Sequence, residues 1–487
     1  MAAIMGAGPV ADAFVVAMRL PNHFRAIFAE GAFNAAFIPK YSRLLESKDK
    51  SAAQLFAEHI LSLTFIVQLI VLALSLIFMS WIVFALTMGF PENPERFELA
   101  VSLSRITFPY LLFVTLVTVL SGMLNAHGRF AAAAAAPILL NFSLIAALLV
   151  TGFFPTAGHA AAWGFCIAGL LEFLLLWCTI CRAGLRPKWR RPVLDKDMKD
   201  FFRTLGPAVI GSAGVQLAMF ADTFIAALLP TGALSSIYYA DRLYQLPVGV
   251  IGIAAGTVLL PEMSRKFASG DLSGSQTAQN RAAAITLALT APFCVAFLVI
   301  PDLILSALFK HGAFNTQAAL ASSQVLFAYS IGLPAVVLIR IAVASFYARH
   351  DTRTPVIASL ASVAVNVILK ILLVKPFGAS GLALATAIGA WINLVILIVL
   401  GVKWQLMKVD QLLSKTLYAC LFSCIPLTFY AFFAPSTFAK IFETSQWQTE
   451  ITFVLVGLSG ALIYCVFLFI NLVMFGIRIN KGRMTLR

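Results

Sequence analysis

The chain is 487 residues long, 61% hydrophobic and only 11% charged, with a mean hydropathy of +0.92; this composition excludes an ordinary soluble domain and places it among all-α polytopic membrane proteins. Its longest polar connection, residues 182–203, is too short to bury a core of its own, so no soluble catalytic domain sits between the apolar runs. The formal charge of +14 suits nucleic acid at first sight, but its distribution is that of a membrane topology signal, and no nucleic-acid partner is expected.

Thirteen apolar runs have roughly the 20 residues needed to span ~30 Å of hydrocarbon. They lie near 10–39, 60–87, 104–126, 131–153, 160–181, 203–229, 236–260, 283–308, 319–347, 355–374, 380–402, 415–435 and 450–475. The first is long and apolar yet carries Asp12, Arg19, Arg25 and Glu30, with a predicted break at Pro21-Asn22. An arginine near the bilayer centre costs roughly 2.5 to 3.5 kcal/mol, so such groups face a wet interior or a partner.

Basic residues orient the runs. Alternate connections, together with the tail from 476, hold 25 Lys and Arg; the intervening ones hold only Arg96, Lys310, Lys375 and Lys440. The first set is therefore expected in the cytoplasm, as is the C-terminus, while the connection with Glu92, Glu95, Arg96 and Glu98 faces outward. Six basic residues remain inside the runs. Arg105 and Lys370 lie near run ends, from which they would snorkel to the interface. Arg19, Arg25, Arg242 and Arg340 are expected in a shared interior.

The chain also repeats itself. Pro39-Lys-Tyr-Ser-Arg43 returns as Pro261-Glu-Met-Ser-Arg265, and the spacing of Pro109 and Asn141 returns in Pro334 and Asn366 at nearly the same offset. Both copies have the same orientation, which predicts two parallel-repeat six-helix lobes. The expected organisation is an N-terminal lobe over 1–195 with five of its six helices, a C-terminal lobe over 196–412 with six, and two additional transmembrane helices with a basic tail over 413–487. The register further predicts a first helix upstream of Met1.

Guanidinium groups match phosphate oxygens with paired hydrogen bonds, so Arg25, Arg242, Arg19 and Arg340 are candidates for a phosphate or pyrophosphate site. Asp12, Glu30, Asp241 and Asp222 would hold those arginines or bind a coupling cation; equally, Asp241-Arg242 and Arg25 with Glu30 are candidate ion pairs that only fix packing. Glu172 stands alone in its run. Tyr238-Tyr239 suits either an interfacial anchor or packing against a sugar or a lipid chain. The seven cysteines behave as small hydrophobes, the six histidines lack metal spacing, and there is no phosphate-binding Gly-rich loop, so neither a metal nor a cofactor is expected. Pumping would draw on an ion gradient or the membrane potential, the latter worth about 2.3 kcal/mol per charge per 100 mV.

Asp12-Ala-Phe14, Leu20-Pro-Asn22, Ile27-Phe-Ala-Glu-Gly-Ala-Phe33, Tyr238-Tyr-Ala-Asp-Arg-Leu243, Gly256-Thr-Val-Leu-Leu-Pro261 and Phe346-Tyr-Ala-Arg-His-Asp-Thr-Arg-Thr-Pro355 together resemble the MurJ/MviN family of lipid II flippases, in the superfamily that also holds multidrug and oligosaccharide-lipid exporters. The resemblance implies a transporter rather than an enzyme, one that moves the undecaprenyl-pyrophosphate-linked peptidoglycan precursor across the bacterial inner membrane. It implies that Arg25 and Arg242 receive the pyrophosphate in a cationic cavity near Asp12, that Glu30 belongs to a family motif, and that the last two helices form a groove for the lipid tail. The alternatives are an exporter of other polyprenyl-pyrophosphate-linked sugars, a cation-coupled multidrug antiporter, or a membrane glycosyltransferase using Glu92, Glu95 and Glu98.

Overall fold

The computed structural model describes every residue except 27–30, 48, 49, 91, 92, 481, 482 and 487; at 31, 32, 50, 210–218, 253–255, 257, 258, 478–480 and 483–486 it describes the backbone alone. By packing, the chain forms two compact units, residues 3–235 and 236–487.

The first unit contains α1 (Ala2–Met5), α2 (Pro9–Arg25), α3 (Gly31–Glu46), α4 (Lys50–Ile77), α5 (Met79–Thr87), α6 (Pro94–Thr107), α7 (Tyr110–Ala126), α8 (Ala131–Leu149), α9 (Ala157–Arg182) and α10 (Lys196–Ala227). There α2 runs along α6 and α9, α8 along α9, and α10 along α3 and α5. The second unit contains most of α11 (Ala233–Pro247), a π-helical stretch Val248–Ile253, α12 (Ala254–Ala268), α13 (Leu272–Val299), α14 (Pro301–Phe309), α15 (Thr316–Tyr347), α16 (Arg353–Lys403), α17 (Gln411–Ile441) and α18 (Gln448–Met474). It closes with a hairpin of β1 (Ile477–Asn480) against β2 (Arg483–Leu486), where the sequence promised only a basic tail. Asp195, Asp271, Asn315 and Asp410 start their helices in the usual way, each accepting a bond from a backbone N–H three residues on.

The repeat is written in the helix ends. The offset that carries Pro39 onto Pro261 also carries both ends of α4 and α5 onto those of α13 and α14, and the last residues of α2 and α3 onto those of α11 and α12. Packing and register divide the chain differently: α10 packs with the first unit although the register groups it with the second copy.

Among the described residues nine helices are long and apolar enough to cross a membrane. One of them, α16, has 51 residues and holds two of the expected runs, separated at Gly378, whose φ of 54° and ψ of −131° no helix accommodates. Burial from water does not drive helices together inside a bilayer; close approach at small residues does. At Gly332 a Cβ would stand 2.6 Å from the Ala387 Cα, and at Gly164 it would stand 2.7 Å from the Ala147 Cβ, so both contacts exist only because the residue is glycine.

Three expectations change. The helix does not break at Pro21-Asn22 but continues to Arg25. Pro21 cannot donate to the Ala17 carbonyl, and the hydroxyl of Thr107 on α6 donates to it instead at 2.7 Å. The same repair recurs in the second unit, where Pro334 leaves the Ser330 carbonyl to the Cys294 thiol at 3.5 Å. Lys370 does not snorkel: it is 2% exposed, enclosed by protein. Arg96 is not a loop residue in water but lies in the first turn of α6 and is 1% exposed.

Candidate functional site

In the first unit α2 carries Asp12, Arg19 and Arg25. Asp12 is 0% exposed, and both of its oxygens are engaged. One takes the Gly232 N–H at 2.7 Å and the Arg96 guanidinium at 3.0 Å; the other takes the N–H and hydroxyl of Ser235, both at 2.8 Å. Arg96 is held in turn by the carbonyl of Ala227 and the hydroxyl of Thr231, each at 3.4 Å, and its guanidinium lies 3.8 Å from the Phe90 ring centre. A buried carboxylate is tolerated when paired and fully hydrogen-bonded, as here. Gly232 has a φ of +95°, and a Cβ there would stand 2.9 Å from the Ala7 carbonyl, so the turn that delivers its N–H needs glycine.

The sequence suggested that Asp12 supports the intramembrane arginines; its partner is Arg96, far along the chain on another helix. The positive-inside count masked this arginine by filing it with an outward connection. The available signal was its isolation as the one cation in an otherwise acidic stretch.

Arg19 is half-buried and donates to Thr223 of α10 at 3.4 Å. Arg25, further along α2, is half-buried within electrostatic reach of Glu172 on α9, which is 3% exposed. Between them His23 and Phe24 pack on Phe220 of α10, with ring centres 4.6 and 6.2 Å apart. Asp222 is half-buried on the same helix as Thr223 and Phe220. Glu30 lies outside the described residues, so its pairing with Arg25 does too.

The second unit holds the other two arginines, both exposed. The Arg242 guanidinium lies 4.7 Å from the Tyr238 ring centre, while Asp241 accepts from Gln245 at 3.4 Å. Stacking on an aromatic face orients a guanidinium without neutralising it, which leaves its N–H groups able to meet an anion. Tyr239 is packing: it is 2% exposed against Phe309 and Phe314. The stem of Arg340 lies over Gly252, where a Cβ would come within 3.3 Å of its Cδ. Elsewhere in this unit a groove of about 570 Å³ opens among α13, α15, α16 and α17. Leu287, Leu338, Trp391, Leu394 and Leu421 line its length, and Gln279, Asn280 and Lys408 form its polar end.

A duplicated set of long apolar helices, with guanidinium groups on α2, α11 and α15 and a long apolar groove in one unit, has the make-up of a multi-pass membrane transporter. The family described as "Lipid II flippase MurJ" matches residues 1–457. A "Probable lipid II flippase MurJ" of Rhizobium meliloti is 41% identical over 82% of this chain and 75% of its own, and the "Lipid II flippase MurJ" of Burkholderia cenocepacia is 31% identical over 82% and 78%. Among solved structures, "Lipid II flippase MurJ, inward closed conformation" superposes with a TM-score of 0.79 at 23% identity, covering 96% of this chain and 93% of that one. A multidrug resistance MATE family transporter in an inward-facing conformation follows at 0.70 and 18%, covering 82% and 91%. The chain belongs to the lipid II flippase MurJ family.

Proposed function

We propose that this chain moves lipid II from the inner to the outer leaflet of the bacterial inner membrane by alternating access, making and breaking no bond. The family match over residues 1–457 carries this reading, and the four intramembrane arginines fit the substrate's chemistry. Arg25 and Arg242, assisted by Arg19 and Arg340, take the pyrophosphate, for which charge-assisted paired hydrogen bonds are well suited. Glu172 keeps Arg25 in place, and Asp241 and Asp222 serve as supporting acids or as part of the coupling to an ion or to the membrane potential. Asp12 and Arg96 shape α2 rather than meet substrate. The apolar groove takes the isoprenoid chain. The distribution of Lys and Arg puts the C-terminus in the cytoplasm.

The test is genetic. In a bacterium depleted of its own flippase, expression of this gene restores growth, and Arg25→Ala or Arg242→Ala abolishes rescue while the protein still reaches the membrane. Rescue by either variant at the wild-type level would remove the pyrophosphate assignment.

A further inference from the structure

The polar connection 183–195 in the first unit has no regular secondary structure over 185–195, yet it is tied down along its length. Glu58 of α4, 3% exposed, accepts the Lys188 N–H at 2.9 Å and the Arg190 Nε–H at 2.6 Å. Gln54 donates to the Arg186 carbonyl at 3.2 Å, and Ser62 accepts the Arg190 N–H at 3.1 Å. Trp189 leans on Phe65 with ring centres 5.0 Å apart. The connection is thus a strap of fixed shape.

Its second-unit counterpart shows what the tie alone requires. Gln276 and Asn280, the repeat equivalents of Gln54 and Glu58, donate to the carbonyls of Gln405 at 2.8 Å and Lys408 at 2.7 Å. Neutral amides therefore hold the second connection, which carries a single cation, Lys408, between α16 and α17. The first strap adds what anchoring does not need: Arg186, Lys188, Arg190 and Arg191 are exposed, interleaved with Trp189, Val193 and Leu194 at 51%, 54% and 67% exposure. Cations beside exposed aromatic and aliphatic groups, directly after a membrane helix, match the headgroup layer of a leaflet rich in anionic lipid.

We propose that the strap 183–195 is a docking site for anionic phospholipid headgroups of the leaflet it faces, with Arg186, Lys188 and Arg191 holding the phosphates and Trp189, Val193 and Leu194 entering the acyl boundary. The choice of the cytoplasmic leaflet rests on the orientation assigned under the proposed function; the binding itself does not.

The experiment is native mass spectrometry of the detergent-solubilised full chain with added phosphatidylglycerol or phosphatidylcholine. The wild type retains phosphatidylglycerol in preference. The triple variant Arg186→Gln, Lys188→Gln, Arg191→Gln, which leaves the Glu58 tie in place, weakens that retention by roughly tenfold or more, since each cation near an anionic surface contributes about a fivefold factor. The control Lys403→Gln, Lys408→Gln, Lys415→Gln removes the same charge from the second connection and the helix ends that flank it, and keeps the retention. Equal loss in both triple variants, no loss in the first, or displacement of the lipid by millimolar inorganic phosphate would overturn the proposal. Arg242→Ala keeps full lipid retention while failing to rescue growth, so failure of the flippase reading and failure of this one are read on separate measurements.

Discussion

Asp12 and Arg96 meet at 3.0 Å with side chains 0% and 1% exposed, an ion pair sealed from solvent within the first unit. Breaking such a pair from one side strands a charge, which typically costs about 3 to 5 kcal/mol, whereas replacing both partners is far milder. Arg96→Ala is therefore expected to lose most of its folded yield, and Asp12→Asn with Arg96→Gln to recover much of it. Fluorescence size-exclusion melting curves of the three proteins decide the point; equal Tm values for Arg96→Ala and wild type would show that the pair contributes nothing.

Gly332→Ala should destabilise the second unit by about 1 to 3 kcal/mol, because the added methyl meets backbone at Ala387 that no side-chain rotation relieves. Gly457→Ala in α18, where nothing stands within 4 Å of the new atom, is the matched control and should melt within a degree or two of wild type.

Glu58→Ala removes the acceptor for Lys188 and Arg190 and frees the strap. Limited trypsin digestion should then cut at Arg186, Lys188, Arg190 or Arg191 many times faster than in the wild type, with the rest of the chain protected. Unchanged cleavage would mean that Gln54, Ser62 and the Trp189 contact suffice to hold the strap.

The Gly274 N–H and the Ser273 hydroxyl hold the Asp271 carboxyl below its ordinary range. A group whose pKa is lowered on folding contributes stability above its unfolded value of about 4, and that contribution disappears as pH falls through the folded value. Asp271→Asn keeps the cap without the titration. Its Tm should match wild type near neutrality and fall less between about pH 5 and pH 3, which a pH series of melting curves would show.

The helical class, the duplication and the family motifs were legible because each is local or periodic: apolar runs, a fixed repeat register and short strings of residues. What escaped was long-range pairing. Pro21-Asn22 looked like a break because proline removes a bond, and nothing near it in sequence announces that Thr107 supplies the substitute. Arg96 looked like a loop residue because topology statistics weigh charge, not burial, and its acid stands far earlier in the chain, on α2. Lys370 looked free to snorkel because distance along a helix says nothing about which neighbours enclose it. For the arginines, sequence named the groups but not their surroundings: Arg242 on Tyr238, Arg25 beside Glu172 and Arg340 over Gly252 are facts of packing.

The mending of Pro21 by Thr107 has a mechanical consequence. α6 grips α2 twice, through Arg96 at one end and Thr107 further along, and so stiffens it where proline would otherwise make it pliable. From Asp12 to Arg25 the helix is about 20 Å long at roughly 1.5 Å per residue, and α6 holds it at Asp12 and again at Ala17, so the two helices tilt as one. A joint tilt of about 10° about the Asp12 end would carry the Arg25 end of α2 through roughly 3 Å, the length of one hydrogen bond. On the proposed assignment of Arg25 to the pyrophosphate, a small joint rotation of the two helices is enough to make or release that contact.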